Sequence, residues 1–531
     1  MIKAVISVIV SISAALLPAK AIAAERVAFD LLPFGQFYIE VDDLKAFVET
    51  GKVSDELAYY LNRIPPKQVA RLPQLLSTPL EFNPLTIAKF SNSTIGATVI
   101  KNFGKGIRTK TNRNGFFALR SAIIAAAFDP EGLTIINLLE RFPLSTIYID
   151  LKVLDRYIDR GEKLFQNQET INELFFTDTV DRQLDLSTAN STKAGKYTWR
   201  KQTLTYQNPR RLNSGFFDLY LPAKKQATLI VISHGVASSR QTFSYLGEHL
   251  ASHGFAVAIV EHNDISLNKF DAFLSGSERF PEPNNLIEQP QDIFFVLNKL
   301  EREIKINSLL KNKINLDRVG VIGHSFGGYT SLALAGGKLI PDAQAAKCQT
   351  DNYRDVLLDL SSLAQCTFDR LPKTDYQLKD PRIKATIAVN PMANIFEHSG
   401  MATVDIPTML ISGTNDLMMP PVAEQIQPFS WLNADIDKYL VLVKPGTHFS
   451  FLREGLGILP VPDRVVGISP TFAHPIIKSL STSFFKVHLE EQWEYQKYLQ
   501  SQNYRLTPNN PLELSIIRSI SDIQLQKLIG R

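Results

Sequence analysis

The sequence predicts an α/β fold: a mostly parallel β-sheet with helices on both faces, preceded by a smaller, mainly α-helical domain. Three observations predict it. From Tyr197 onward, short apolar runs alternate with helical stretches, the pattern of a parallel sheet. Between Glu25 and Asn190, capped helical segments dominate instead. At 531 residues, the chain exceeds one ordinary domain.

The first residues read as an export signal, 1–23. Met1-Ile2-Lys3 gives a positive start, Ala4 to Leu17 is apolar apart from serines, and Ala19 to Ala24 supplies small residues for cleavage after Ala23. The expectation is an exported protein, periplasmic or secreted. An uncleaved N-terminal anchor is the other reading.

Residues 25–190 form the helical domain. Phe37 to Val41 reads as a short strand. Asp42 or Asp43 starts a helix that Gly51 stops, Ser54-Asp55-Glu56 opens another, and Pro65-Pro66 a third. Phe116 to Phe128 is alanine-rich and apolar, as a buried helix would be. Leu133 to Phe142 and Ile149 to Phe165 complete the set. This region contains no histidine, which argues against acid–base or metal chemistry within it. A polar, turn-rich run near Asp178 to Lys196 marks its end.

Residues 197–500 carry the sheet. Its expected strands are Tyr197–Tyr206, Gly215–Leu221, Thr228–Ser233, Phe255–Glu261, the run beginning at Arg318, Ile383–Asn390, Pro407–Gly413 and Lys438–Val443. Tyr245–His253, Pro290–Leu310 and Phe472–Tyr495 read as helices. The segment 338–380 reads as a lid-like insertion, either one wall of a pocket or an ordinary packed excursion. Residues 501–531 read as a polar C-terminal tail with a short amphipathic piece at Leu512 to Leu528.

Bulk properties exclude several functions. A formal net charge of +4 gives no reason to invoke nucleic acid. No H-E-x-x-H or C-x-x-C occurs, so neither a metal nor another cofactor is expected. The two cysteines, Cys348 and Cys366, suit a disulfide in an exported protein, worth about 3 kcal/mol. Two buried free thiols are the alternative.

The chemistry is expected around Arg318 to Tyr329, RVGVIGHSFGGY. An apolar strand runs into a glycine-flanked serine, and small apolar residues at helical spacing follow. That context fits a G-x-S-x-G nucleophile elbow, in which Ser325 sits in a strained turn with its hydroxyl projecting. A serine hydroxyl needs a base and an acid that orients the base. With the order Ser, acid, His, the base is expected at His448, on the loop after the last long strand. A packing His448 with a catalytic His474 is the alternative. Asp416, on the exit loop of the strand Pro407–Gly413, is expected as the acid, or else as a helix cap. The backbone N–H groups of Phe326 and Val236 are expected to receive an oxyanion. His234 reads as a structural member of the same loop as Val236.

The run Ile232 to Asp264, ISHGVASSRQTFSYLGEHLASHGFAVAIVEHND, together with Gly323 to Gly328, resembles the platelet-activating-factor acetylhydrolases of the α/β-hydrolase superfamily. The likeness covers roughly Phe217 to Phe451. The region before it is similar to an N-terminal domain of unknown function on some bacterial hydrolases. The resemblance implies an α/β-hydrolase fold and a serine carboxylic-ester hydrolase without a metal, acting on lipid-like or hydrophobic esters, including short acyl groups of phospholipids. Ser325 and His448 carry over directly. The family's acid would fall at Asn390, which has no charge to offer an imidazolium, so Asp416 is the better candidate.

Peripheral contact with a membrane is compatible with such substrates, and the sequence sets no oligomeric state. A thioester or polyester hydrolase is the alternative enzyme. A non-catalytic envelope- or partner-binding protein on a hydrolase scaffold is the alternative class.

Overall fold

A computed structural model describes residues 23–530 apart from 32, 81, 177–190, 212, 275–276, 278–281, 350–359, 369–370, 456–462, 501–502 and 506–509. The expected export signal lies outside the described residues except at position 23. The chain divides into two compact units, one up to Arg160 and one from Gly161. The division falls earlier in the chain than the polar run near Asp178, much of which lies outside the described residues.

The first unit is mainly helical, and it also holds a four-stranded sheet of which the sequence showed one strand. Its strands are β1 (Arg26–Leu31), β2 (Gly35–Glu40), β3 (Ile107–Arg108) and β4 (Thr146–Ile149), in the order β2-β1-β4-β3. β1 is antiparallel to β2 and parallel to β4. The helix Val41–Thr50 ends at Gly51, which takes the left-handed conformation (φ 73°) that glycine adopts without steric cost. Ser54 caps the helix Asp55–Leu61 by accepting from Leu57 N–H. The alanine-rich helix Phe116–Ala127 buries Leu119, Ala122 and Ala126. Leu119 and Ala122 join Val41, Ile100, Phe142 and Ile147 in one apolar cluster.

The second unit is built on a ten-stranded sheet. Its strands are β5 (Trp199–Tyr206), β6 (Gly215–Pro222), β7 (Ala227–Ser233), β8 (Ala256–Glu261), β9 (Ile314–His324), β10 (Ile383–Val389), β11 (Thr408–Gly413), β12 (Lys438–Lys444), β13 (Asn503–Arg505) and β14 (Glu513–Ile517). The order is β13-β14-β12-β11-β10-β9-β7-β8-β6-β5. The six strands β7 to β12 are mutually parallel, and β5, β6, β13 and β14 each pair antiparallel with their neighbours.

The continuous apolar runs have a simple cause. Strands covered on both faces need apolar residues at every position. Along β7, Ile230 and Ile232 point to one face, with Leu246 and Leu250 of the helix Ser244–Ser252 and Phe484 of the helix His474–His488. Leu229 and Val231 point to the other, with Ile293, Val296 and Leu297 of the helix Asn285–Ile306.

Two readings are corrected. The helix expected from Pro290 begins at Asn285 and runs through the proline. Proline lacks an N–H for the carbonyl four residues earlier, that of Leu286. The Tyr329 hydroxyl donates to that carbonyl instead, at 2.9 Å. The segment 501–531 is not simply a tail. It supplies β13 and β14, and Leu512, Leu514 and Ile516 are buried in the same core as β12. A helix, Asp522–Ile529, follows with a complete capping box at Ser521 and Gln524.

Candidate active site

β9 delivers Ser325 to the carboxyl end of the sheet, and the helix Phe326–Leu334 begins directly after it. Ser325 has φ 58° and ψ −120°, a conformation that costs about 1–3 kcal/mol for a residue with a side chain. The packing around it holds the strain. Ser325 N–H donates to Val389 O at 2.9 Å, tying the turn to β10. A Cβ on Gly323 would lie 1.8 Å from Gly327 O, and one on Gly327 would lie 2.2 Å from Ser233 O. Side chains are excluded at both positions, as a tight elbow requires.

β12 leads to His448 and β11 to Asp416. His448 Nδ1 lies 2.7 Å from Asp416 Oδ2. A carboxylate only accepts, so Nδ1 carries the proton and Nε2 presents its lone pair. Asp416 Oδ1 accepts from the N–H groups of Met418 and Met419, both at 2.8 Å. Asp416 thus uses both oxygens: one caps the following turn, the other meets the imidazole. Its side chain is fully buried and its charge is held entirely by hydrogen bonds. Among the described residues, no hydrogen bond links the Ser325 hydroxyl to His448 Nε2.

Asn390 occupies the position where the resemblance would put the acid. It is fully buried with φ 43°. Its amide donates to the carbonyls of Thr447 (3.2 Å) and His448 (3.3 Å), and its Oδ1 accepts from Gly413 N–H at 2.9 Å. It therefore fastens the end of β10 to the histidine loop and to the strand that carries Asp416. His324 fastens the same loop: its Nε2 donates to His448 O at 2.9 Å. Burial pushes the His324 imidazole well below its usual range, and the nearby His448 adds to the effect.

The loop after β7 lies against Ser325. A Cβ on Gly235 would come within 2.8 Å of Ser325 Cβ. Among the described residues, neither Val236 N–H nor Phe326 N–H is engaged by a protein acceptor. The Phe326 N–H also stands at the positive end of its helix.

The other histidines are accounted for elsewhere. His474 Nε2 donates to Leu452 O at 2.8 Å, and its ring stacks on Tyr245. His488 contacts Tyr439, and His398 lies edge-on to Trp431. His234 is fully buried and hydrogen-bonded within its loop.

In the insertion, Cys348 and Cys366 form a disulfide between the helices Pro341–Cys348 and Leu360–Thr367. Phe368, just beyond, packs on the ring of Phe326, centroids 5.9 Å apart. Leu363 is buried, whereas Leu357 and Leu358 lie outside the described residues. One residue of this neighbourhood escaped sequence reasoning. Glu424, buried after β11, accepts from Ser361 Oγ and Gln365 Nε2 (both 2.6 Å) and from Asn394 N–H (3.0 Å). Its partners lie far away in sequence, so no local pattern announces it. Among the described residues, no cluster of His, Cys, Asp or Glu suits a metal ion.

Comparison with known proteins agrees with this architecture. A family model described as an alpha/beta hydrolase of unknown function (DUF1400) matches residues 23–150. A second, platelet-activating factor acetylhydrolase, isoform II, matches residues 217–273. The chain has the α/β-hydrolase fold and resembles the platelet-activating-factor acetylhydrolases. The acetylhydrolase of Bos taurus is 33% identical over 147 residues, which is 22% of this chain and 33% of that protein. That of Canis lupus familiaris is 34% identical over 137 residues, 20% of this chain and 31% of its own length. Cutinase 1 of Thermobifida cellulosilytica is 22% identical over 302 residues, 56% of this chain and 83% of its own. The chain thus spans about a third of the length of these two acetylhydrolases.

Proposed function

We propose that this protein is a serine carboxylic-ester hydrolase acting on lipid-like or hydrophobic esters, including short acyl groups of phospholipids. The carrying observation is the 2.7 Å bond from His448 Nδ1 to the buried Asp416, beside a serine held in a strained elbow. The resemblance to proteins named acetylhydrolase and cutinase supports the ester as substrate.

In this reading, Ser325 Oγ attacks the ester carbonyl carbon and its proton passes to His448 Nε2. The carbonyl π electrons move onto oxygen, and the N–H groups of Phe326 and Val236 receive the oxyanion. The charge of Asp416 stabilises the imidazolium. Collapse breaks the bond to the alkoxy oxygen, and His448 returns its proton to the departing alcohol. Water then attacks the acyl-enzyme by the same route, releasing the carboxylic acid and restoring Ser325. Among the described residues the Ser325–His448 hydrogen bond is absent, and such bonds form or tighten when substrate arrives.

Turnover of p-nitrophenyl butyrate by Ser325→Ala tests the assignment. Complete loss of turnover and of fluorophosphonate labelling, with the fold intact, is expected. Retained turnover removes Ser325 as nucleophile and with it this reading. A polyester substrate is the second reading, favoured by the span of the match to proteins named cutinase. Hydrolysis of a polyester film faster than of a short-acyl phospholipid would select it. Export through residues 1–23 belongs to the same proposal. Among the described residues, no helix is long and apolar enough to cross a membrane.

A further inference from the structure

One strand away from Ser325 lies a second chain of serine, histidine and aspartate. Ser233, the last residue of β7, has its Oγ 2.9 Å from His262 Nε2. His262, the first residue after β8, has its Nδ1 3.2 Å from Asp292 Oδ2. Asp292 also accepts from Asn208 (2.9 Å) and from two nitrogens of Arg211 (2.8 and 2.7 Å). Ser233, His262 and Asp292 are each at most 1% exposed.

This arrangement has the bonds of a triad and none of the access. Ser233 sits in an ordinary strand position, and Gly327 packs directly on its carbonyl. What the chain touches is the loop beside the nucleophile. His262 N–H donates to His234 Nε2 at 3.0 Å. With that nitrogen accepting, His234 Nδ1 carries the proton and donates to Gly235 O at 2.8 Å. The Gly235 carbonyl and the Val236 N–H belong to one planar peptide unit, so fixing the carbonyl fixes where the N–H points. Farther along, Ala237 N–H donates to Ile265 O at 2.7 Å, closing the loop onto the segment after β8. Burial and the adjacent His262 push the His234 pKa down to about 3, which keeps one nitrogen of its ring as an acceptor through the neutral range.

We propose that Asp292, His262 and Ser233, with His234 bonded across them, form a positioning network that aims the Val236 N–H at the oxyanion formed on Ser325. The proposal rests on the esterase reading above. His234 and Asp292 act through the loop and are positioning residues, not catalytic ones.

The test compares His234→Phe, His234→Asn and Asp292→Asn with the wild type on p-nitrophenyl butyrate, after thermal melting shows which variants fold. His234→Phe should lower kcat about a hundredfold or more, as loss of one oxyanion donor does. KM should stay within about threefold, because the donor acts on the transition state. The amide of His234→Asn can still donate to the Gly235 carbonyl and should recover about tenfold or more of the lost kcat. Asp292→Asn keeps the shape while removing the charge, and should lower kcat about tenfold with KM unchanged. If His234→Phe does not fold, Asp292→Asn decides alone. Folded variants with wild-type kcat, a loss confined to KM, or His234→Asn no better than a folded His234→Phe would overturn the proposal.

Ser233→Ala should keep fluorophosphonate labelling and Ser325→Ala should lose it. The reverse pattern would make Ser233 the nucleophile and overturn the positioning role. Retained turnover in Ser325→Ala separately marks failure of the esterase reading itself.

Discussion

Asn390 and Asp416 divide between them two duties, orienting the histidine loop and meeting its imidazole. Asn390 donates to two backbone carbonyls of that loop, which a carboxylate cannot do. Replacing Asn390 by Asp should therefore cost about 1–3 kcal/mol of stability, the penalty for groups left facing without a donor. Urea unfolding would measure it, and an unchanged midpoint would contradict the bonding described. Asp416→Asn should lower kcat by about four orders of magnitude with the fold retained, because the amide favours the wrong imidazole tautomer. Adding Asn390→Asp to an Asp416→Ala background should restore nothing. Recovered turnover would move the acid to the end of β10. The position of Asp416 on the exit loop of β11 was legible in the sequence because a polar loop after an apolar strand is a local pattern. The bonds of Asn390 were not, because its acceptors are backbone carbonyls whose positions depend on how β12 ends.

At the scale of elements, the strands from β7 to β12 were readable because burial on both faces writes itself into continuous apolar runs, whereas β5, exposed along most of its length, was readable by its alternation. β14 was readable in principle: Leu512, Leu514 and Ile516 alternate with polar residues at period two. The polar stretch before it masks that short signal. β1 went unread for a different cause, since its partly exposed residues Arg26 to Leu31 give no clean alternation. The start of the helix Asn285–Ile306 depends on Tyr329, a partner no local window contains. Among the described residues, the insertion is held by the disulfide, by Glu424 and by Lys347, which reaches Asn394 and Glu397. With the cysteines 18 positions apart in sequence, Cys348→Ala/Cys366→Ala should lose about 3 kcal/mol in the chain-entropy model. Denaturant unfolding of the oxidised protein against the variant gives the value. No difference would mean that Glu424, Lys347 and packing hold the segment without the disulfide. Because β14 belongs to the core, Ile516→Ala should cost about 2–5 kcal/mol, as loss of a buried aliphatic side chain does.

For the molecule as a whole, histidine is distributed unevenly. All nine lie in the unit from Gly161, and none in the unit up to Arg160. Several are buried in neutral form. Burial, reinforced by the neighbouring His262, pushes His234 down to about 3. Burial with the charge of a neighbouring His253 takes His249 to about 3. Burial takes His488 to about 4. In the unfolded chain each titrates near 6.5. Above that pH, the groups are neutral in both states and pH has no leverage through them. As the pH falls below 6.5, the unfolded chain binds protons that the folded unit refuses, so stability falls. Each such histidine removes about 1.4 kcal/mol per pH unit in the fully developed part of the window. The loss ends near pH 4 for His488 and near pH 3 for His234 and His249, where the folded groups also protonate. The unit from Gly161 should therefore lose stability steeply between pH 6 and about pH 4, beyond what its carboxylates contribute. Calorimetry at a series of pH values should show its transition moving down in temperature faster than that of the other unit. His249→Gln, which keeps a hydrogen-bonding side chain that does not titrate, should flatten the dependence by about 1.4 kcal/mol per pH unit. A transition temperature independent of pH over this window would mean that these imidazoles are not held neutral by the fold.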